Sequence, residues 1–145
     1  HKYYQTLVKV PKREHMKIAE VSEKYGIPQD TLRYYEREGV IPEIKRGNGN
    51  IRDYTEDDCK EIAFAQCLKS AGFTVEEIVE YRNLSKRGDE TIPDRLALMQ
   101  RKREDLLQQR EALDKALKLL DHKVFCYERA VETGVLSWED PNFKL

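Results

Sequence analysis

Apolar residues recur at helical spacing near the start of the chain: Met16, Ile18, Val21 and Tyr25. Gly26 ends this first stretch, because glycine readily adopts the left-handed conformation that closes helices. Pro28 can begin a second stretch, where its missing N–H removes no helical hydrogen bond. This stretch runs to about Glu38 and is closed by Gly39. Two short helices joined by a tight turn over 26–28 are typical of a helix-turn-helix.

Residues that favour tight turns are concentrated just after these helices: Pro42, Gly47, Asn48, Gly49 and Asn50. Short stretches that favour extended structure flank them at 44–46 and 51–54. This arrangement predicts a small β-hairpin, or wing, beside the helix-turn-helix.

Two further helices are predicted downstream of the wing. Thr55 caps the third helix, and Gly72 ends it. Its apolar residues spread over more than one face, so we expect it to be well buried. Thr74 and Glu77 have the spacing of a capping box that begins the fourth helix, and Gly88 ends that helix.

A much longer helix is predicted from about residue 91 to 131. Its apolar residues alternate by four and three over more than five heptads, which is typical of a coiled-coil seam. Such a helix is about 60 Å long, and a small chain cannot bury its whole stripe. We therefore predict a homodimer, and its interface residues are Leu96, Met99, Leu106, Leu113, Leu117, Leu120 and Val124. Arg103 and Arg110 interrupt the seam and could specify its register.

Composition refines this outline. The chain has 145 residues, 37% of them charged, and a net charge of −1. These values fit one domain with an extended helix, and DNA binding would depend on where the cations lie. Without an apolar run of about 20 residues or a secretory signal, we expect a cytoplasmic protein with no membrane partner.

We divide the chain into four segments. Residues 1–15 are interpreted as an upstream extension or added leader, and 16–88 as a winged helix-turn-helix domain. Residues 91–131 form the predicted coiled-coil dimerisation helix, and 132–145 an irregular tail. The predicted fold class is therefore mainly α.

Few residues of the chain are candidates for metal binding or catalysis. Cys59, Cys67 and Cys126 are an odd number and widely spaced, so we expect free thiols. His122 lies one helical turn before Cys126, but two ligands make a weak metal site. With no nucleophile elbow or phosphate-binding glycine loop, we predict no enzyme, no cofactor and no metal.

Several motifs, in this order and spacing, resemble the MerR family of bacterial transcription regulators. They are residues 16–21 (MKIAEV), 31–42 (TLRYYEREGVIP), Arg46, 52–54 (RDY), 64–68 (FAQCL) and 71–78 (AGFTVEEI). The family usually has Gly-Tyr-Arg-x-Tyr at the returning strand of the wing. Here Asn50 and Ile51 stand at the first two positions, so one tyrosine that contacts the DNA backbone is replaced.

The resemblance implies a dimer, with an antiparallel seam, that binds double-stranded promoter DNA. It would act as an activator that bends and untwists the promoter, so that RNA polymerase is engaged through the DNA. The predicted DNA-binding residues are Arg33, Tyr34, Arg37, Lys45, Arg46, Arg52 and Tyr54. Arg33 and Arg37 lie one helical turn apart and can face DNA together. The alternatives are a solvated charged face for the arginines and core packing for Tyr35.

The sequence says less about the effector, the molecule or stress that such a regulator would sense. Cys67 resembles the lone third-helix cysteine of the members that respond to aldehydes, electrophiles or thiol stress, which makes it the predicted sensor. It could equally be a small core residue, since no cation lies three or four residues from it. Cys59 has a poorer claim because acidic residues surround it. An effector-independent repressor and a metal-responsive regulator remain alternatives.

Overall fold

The computed structural model describes residues 15–140 and 142–143. Its elements in chain order are β1 (His15–Met16), α1 (Ile18–Tyr25), α2 (Gln29–Glu38), β2 (Tyr54–Thr55), α3 (Glu56–Ser70), α4 (Val75–Lys86) and α5 (Ile92–Thr133). This arrangement confirms the predicted mainly α fold, with a helix-turn-helix and a long C-terminal helix. None of the described helices is both long enough and apolar enough to cross a membrane.

The turn between α1 and α2 follows the sequence prediction closely. Gly26 closes α1 in the left-handed region, with a φ of 65°. Gly39 closes α2 in the same region, with a φ of 83°, and its N–H donates to the carbonyl of Glu36 at 3.3 Å. Pro28 caps α2 one residue before the first helical position. The chain thus reverses sharply at both ends of α2.

The wing is smaller than the predicted hairpin. Arg46 and Arg52 form a single antiparallel β-bridge, and the amide of Gly47 donates to the carbonyl of Ile51 at 2.8 Å. A 3₁₀ turn at Asn48–Asn50 reverses the chain between them. The amide of Asp53 also donates to the carbonyl of Lys45 at 2.9 Å, so the two arms of the predicted hairpin are paired around this turn.

The returning arm of the wing also pairs with the start of the described chain. Tyr54 lies opposite Met16 in an antiparallel pair, and Thr55 lies opposite His15. This pairing buries Met16 and Tyr54 in the core. His15 therefore belongs to the folded domain, one residue before the predicted boundary. Residues 1–14 of the predicted leader lie outside the described residues.

One hydrophobic core joins the four helices up to α4. Its most deeply buried members are Val21, Leu32, Val40, Ile41, Tyr54, Ile62 and Ile78. Helix α3 contributes buried residues from more than one face, as predicted. Both predicted caps are formed: Thr55 Oγ1 accepts from the amide of Asp58, and Thr74 Oγ1 accepts from that of Glu77, each at 3.1 Å.

Helix α4 is hydrogen-bonded to neighbouring segments near its C-terminal end. The guanidinium of Arg82 donates to the carbonyl of Gly39 at 2.6 Å. The fully buried Thr91 donates from Oγ1 to the carbonyl of Leu84 at 2.7 Å, and this oxygen also lies 2.8 Å from that of Gly88. In the first turn of α5, Arg95 Nε donates to the same hydroxyl at 3.2 Å.

The chain divides into two compact units, one up to Met99 and the other from Gln100 onward. In the second unit, α5 continues to Thr133, two residues beyond the predicted end. Its large apolar side chains are exposed along the predicted seam: Leu106, Leu113, Leu117, Leu120 and Val124. Beyond the helix, the tail (residues 134–140 and 142–143) turns back onto the last turns of α5 through ring contacts.

Candidate nucleic-acid interface and thiol sites

Helix α2 presents two arginines to solvent. The side chain of Arg33 is 41% exposed and that of Arg37 is 70% exposed. Arg33 Nη1 donates to Asp30 Oδ1 at 2.8 Å, while the guanidinium of Arg37 lies 5.5 Å from the ring centre of the exposed Tyr34. Both cations retain N–H groups that can bind phosphate or a base edge. These three predicted DNA-binding residues therefore lie on one helix with exposed side chains.

The wing adds two exposed cations to the same unit. Lys45 and Arg46 precede the turn, and both are exposed. Arg46 Nη1 donates to the carbonyl of Asn50 at 3.0 Å, which orients the guanidinium across the turn. Phosphate contacts of this kind fix the position of a protein on the duplex.

Arg52, also predicted to bind DNA, is engaged inside the domain. Its Nε donates to Glu36 Oε1 at 2.7 Å, and the side chains of Arg52 and Glu36 are only 20% and 13% exposed. Glu36 Oε2 also accepts from the backbone amide of Ile44 at 3.3 Å. A single carboxylate of α2 thus holds both arms of the wing. The geometry favours a positioning role for Arg52 over a direct phosphate contact.

Glu36 was missed as a functional residue by sequence reasoning. The available signal was its position, because a carboxylate between Arg33 and Arg37 opposes DNA binding unless another cation neutralises it. Its partner is 16 residues away along the chain, beyond the reach of helical spacing rules.

The prediction that Tyr54 contacts DNA is wrong. The side chain is 0% exposed and belongs to the core. Burial is the main reason that the pKa of its hydroxyl is raised. Side chains alternate across a strand, and the register of β2 turns Tyr54 inward opposite Met16. Tyr35 is partly buried against the same core, which agrees with its alternative interpretation as a packing residue.

The two cysteines of α3 differ in their surroundings. Cys59 is buried, and its Sγ lies 4.0 Å from Met16 Sδ. Burial is the largest cause that raises the pKa of the Cys59 thiol, and the carboxylates of Asp58 and Glu56 act in the same direction. Cys67 is a free, half-buried thiol. Cys67 is therefore the more accessible of these two thiols, as the predicted sensor must be.

The pair His122 and Cys126 does share one face of α5. Sγ of Cys126 lies 3.8 Å from Nε2 and 3.9 Å from Nδ1 of His122. Within residues 15–140 and 142–143, no three His, Cys, Asp or Glu side chains are grouped to hold a metal ion. The metal-responsive alternative thus gains no site from this part of the chain.

The fold and the exposed cations of α2 and the wing define a helix-turn-helix protein. The sequence model described as "MerR HTH family regulatory protein" matches residues 16–84, and "MerR, DNA binding" matches 59–123. An uncharacterized HTH-type transcriptional regulator from Haemophilus influenzae is 33% identical over 116 residues, 80% of this chain and 86% of that protein. The chain belongs to the MerR family of DNA-binding transcription regulators.

Other relatives support the same family assignment. The HTH-type transcriptional regulator AdhR of Bacillus subtilis is 42% identical over 93 residues, 64% of this chain and 66% of AdhR. A MerR family regulator from Listeria monocytogenes has a TM-score of 0.72 at 33% identity, covering 82% of this chain and 90% of its own. HiNmlR, a MerR family regulator lacking the sensor domain, solved bound to promoter DNA, has a TM-score of 0.70 at 32% identity, covering 83% and 95%. All are transcription regulators, which points to a protein that is not an enzyme.

Proposed function

We propose that this regulator binds double-stranded promoter DNA as a homodimer, with α2 and the wing of each protomer against the duplex. The observation that carries the proposal is the pair of exposed guanidinium groups, Arg33 and Arg37, one turn apart on α2. Lys45 and Arg46 extend this cationic surface onto the wing. HiNmlR, which resembles this chain in fold and sequence, was solved on promoter DNA.

Fluorescence anisotropy on duplex DNA from the region upstream of the gene tests the surface. Removing one phosphate-binding cation lowers the slope of log affinity against log salt by about 0.9. We expect Arg37→Gln to weaken binding and to reduce this slope. Lys115→Gln is the matched control, because it removes one positive charge from the exposed face of α5. If both variants weaken binding equally, the cationic surface of α2 does not bind the DNA.

The proposed dimer interface is the exposed apolar stripe of α5. Leu113, Leu117 and Leu120 are each more than half exposed in the isolated chain, and such a stripe is costly in water. A second copy supplies a matching stripe, and two-fold symmetry then places two α2 helices on a palindromic site.

A dimer of this kind would control transcription by distorting the promoter so that RNA polymerase can engage it. Bending DNA over such a site costs about 1–6 kcal/mol. The activating and resting states of the protein must therefore differ in how well they stabilise the bent duplex. Transcription from linear templates with lengthened or shortened promoter spacers tests this, because activation by distortion depends on spacer length. Equal activation of all spacers would favour direct recruitment of polymerase.

Cys67 is the proposed sensor of electrophiles. Its neighbour in α3, Gln66, donates from Nε2 to the carbonyl of Tyr25 at 2.6 Å, which ties α3 to the end of α1. A group added to the adjacent thiol would strain this hydrogen bond, because a packed interface accommodates extra volume poorly. The addition therefore offers a physical route from the thiol to the helix-turn-helix.

Transcription by purified protein, with and without a reactive enal, tests this step. We expect wild type to respond and Cys67→Ser not to respond, while Cys59→Ala, the buried-thiol control, still responds. A response that survives in Cys67→Ser would remove Cys67 from the mechanism. An absent response in wild type would favour the effector-independent repressor.

A further inference from the structure

A second thiol lies beneath the tail at the end of α5. Cys126 is 2% exposed, and its Sγ lies within 3.9 Å of both ring nitrogens of His122. Asp140 Oδ2 lies 3.8 Å from Nδ1 of the same imidazole. The side chains of His122 and Asp140 are 9% and 14% exposed. A thiol, an imidazole and a carboxylate are thus grouped in one sheltered cluster, which we call the Cys126 cluster.

The tail covers this cluster through aromatic side chains. Phe143 stacks on the ring of His122, with 4.0 Å between ring centres. Trp138 meets Tyr127 edge to face at 5.6 Å, and Lys123 Nζ lies 3.8 Å from the centre of the indole ring. A terminal segment held by side chains at the surface opens easily compared with the core of a domain. The thiol is therefore covered but not permanently closed off.

We propose that Cys126 is a second electrophile-reactive thiol, in which His122 accepts the thiol proton. The ligand class is a small α,β-unsaturated carbonyl compound that can pass under the lifted tail. This site goes beyond the proposed function, which places sensing at Cys67 in the other unit of the chain.

Addition of the thiol to an enal needs no further reactant. The thiol proton moves to a nitrogen of His122, and the sulfur lone pair forms a bond to the β-carbon of the enal. The π electrons of the C=C bond shift to give an enolate, and the imidazolium returns the proton to the α-carbon. A base within reach of a thiol is a usual arrangement of an activated cysteine nucleophile.

The position of Cys126 leaves it available in a dimer. It follows the seam residue Val124 by two positions, which is about 200° around a helix of 3.6 residues per turn. The thiol therefore faces away from the seam. A carbonyl adduct on Sγ would occupy the space that the tail fills, and would displace Trp138 from Tyr127.

Site-resolved mass spectrometry of the full chain treated with acrolein tests the proposal. All three thiols are followed at once in the native protein. We expect His122→Gln to slow adduct formation at Cys126 at least tenfold, because a general base typically contributes that much or more. We expect Trp138→Ala to accelerate it severalfold by loosening the tail. Rates at Cys59 should not change in either variant.

Trp138 is the one tryptophan of the chain, so its fluorescence reports on the tail directly. Acrolein should shift its emission to the red in wild type and in Cys67→Ser, but not in Cys126→Ser. A shift retained in Cys67→Ser separates this site from the proposed sensor, whether or not transcription responds. The proposal is overturned if Cys126 reacts no faster than Cys59, if His122→Gln leaves its rate unchanged, or if Cys126→Ser still shows the shift.

Discussion

Replacing Glu36 with alanine tests how the wing is held against α2. The substitution removes the acceptor for Arg52 Nε and for the amide of Ile44, both of which lie in a mostly buried region. A hydrogen bond to a charged group is worth about 1.5–3 kcal/mol, and an unpaired buried donor costs a similar amount. We expect Glu36→Ala to lower the free energy of unfolding by about 3 kcal/mol, which leaves a domain of ordinary stability folded.

Urea unfolding at a fixed protein concentration measures this change. With a slope of about 1–3 kcal/mol per molar, the midpoint should fall by about 1–3 M. Asp30→Ala is the control, because its pair with Arg33 is exposed to solvent and such pairs contribute about 0.2–1 kcal/mol. A double-mutant cycle of Glu36→Ala with Arg52→Ala should give a coupling above about 1 kcal/mol. Additive effects, within about 0.5 kcal/mol, would refute the pairing.

The effect of Glu36→Ala on DNA affinity shows whether the carboxylate positions the wing or only repels phosphate. Removing the negative charge of Glu36 should strengthen binding if the carboxylate acts only by repelling phosphate. If it positions the wing, Glu36→Ala should weaken binding, because Lys45 and Arg46 are no longer held relative to α2. Anisotropy under conditions where the variant remains folded distinguishes these outcomes, and tighter binding by Glu36→Ala would reject the positioning role.

Three further predictions concern the seam, the end of α2 and a buried thiol. Leu113→Glu should convert the dimer to monomer in light scattering, whereas Leu119→Glu, off the seam, should not. Gly39→Ala should cost about 1–2 kcal/mol in urea unfolding, the usual penalty for a left-handed residue with a side chain, while Gly47→Ala, at a φ of −94°, should cost less. The raised pKa of Cys59 means that the unfolded thiol ionises first. Stability should therefore fall as the pH rises past about 8.5, and the urea midpoint should fall less between pH 7 and 10 in Cys59→Ala.

The helices were predictable because their signals are local. Gly26 and Gly39 mark the ends of α1 and α2, and the capping box at Thr74 marks the start of α4. The four-and-three spacing of α5 predicted its extent to within two residues of the observed Thr133.

The remaining features depend on distant pairing. A two-residue strand carries no periodicity, so nothing local indicated that His15–Met16 pairs with Tyr54–Thr55. The inward face of Tyr54 follows from that pairing and could not be foreseen without it. The ion pair of Glu36 with Arg52 and the stacking of Phe143 on His122 likewise join residues that are distant in the sequence.

The hydrogen bonds near the C-terminal end of α4 have a mechanical consequence. Arg82 joins it to Gly39, the residue that closes α2, and Thr91 joins it to the first turn of α5. Because Arg82 and Leu84 are only two residues apart, the end of α2 and the first turn of α5 are linked through the same short stretch of α4. A small rotation of the first turn of α5 would therefore be transmitted to Gly39, at the end of α2. Thr91→Val, which removes the hydroxyl of this link, would then change how strongly a rotation of α5 affects α2, while every residue predicted to contact DNA stays the same.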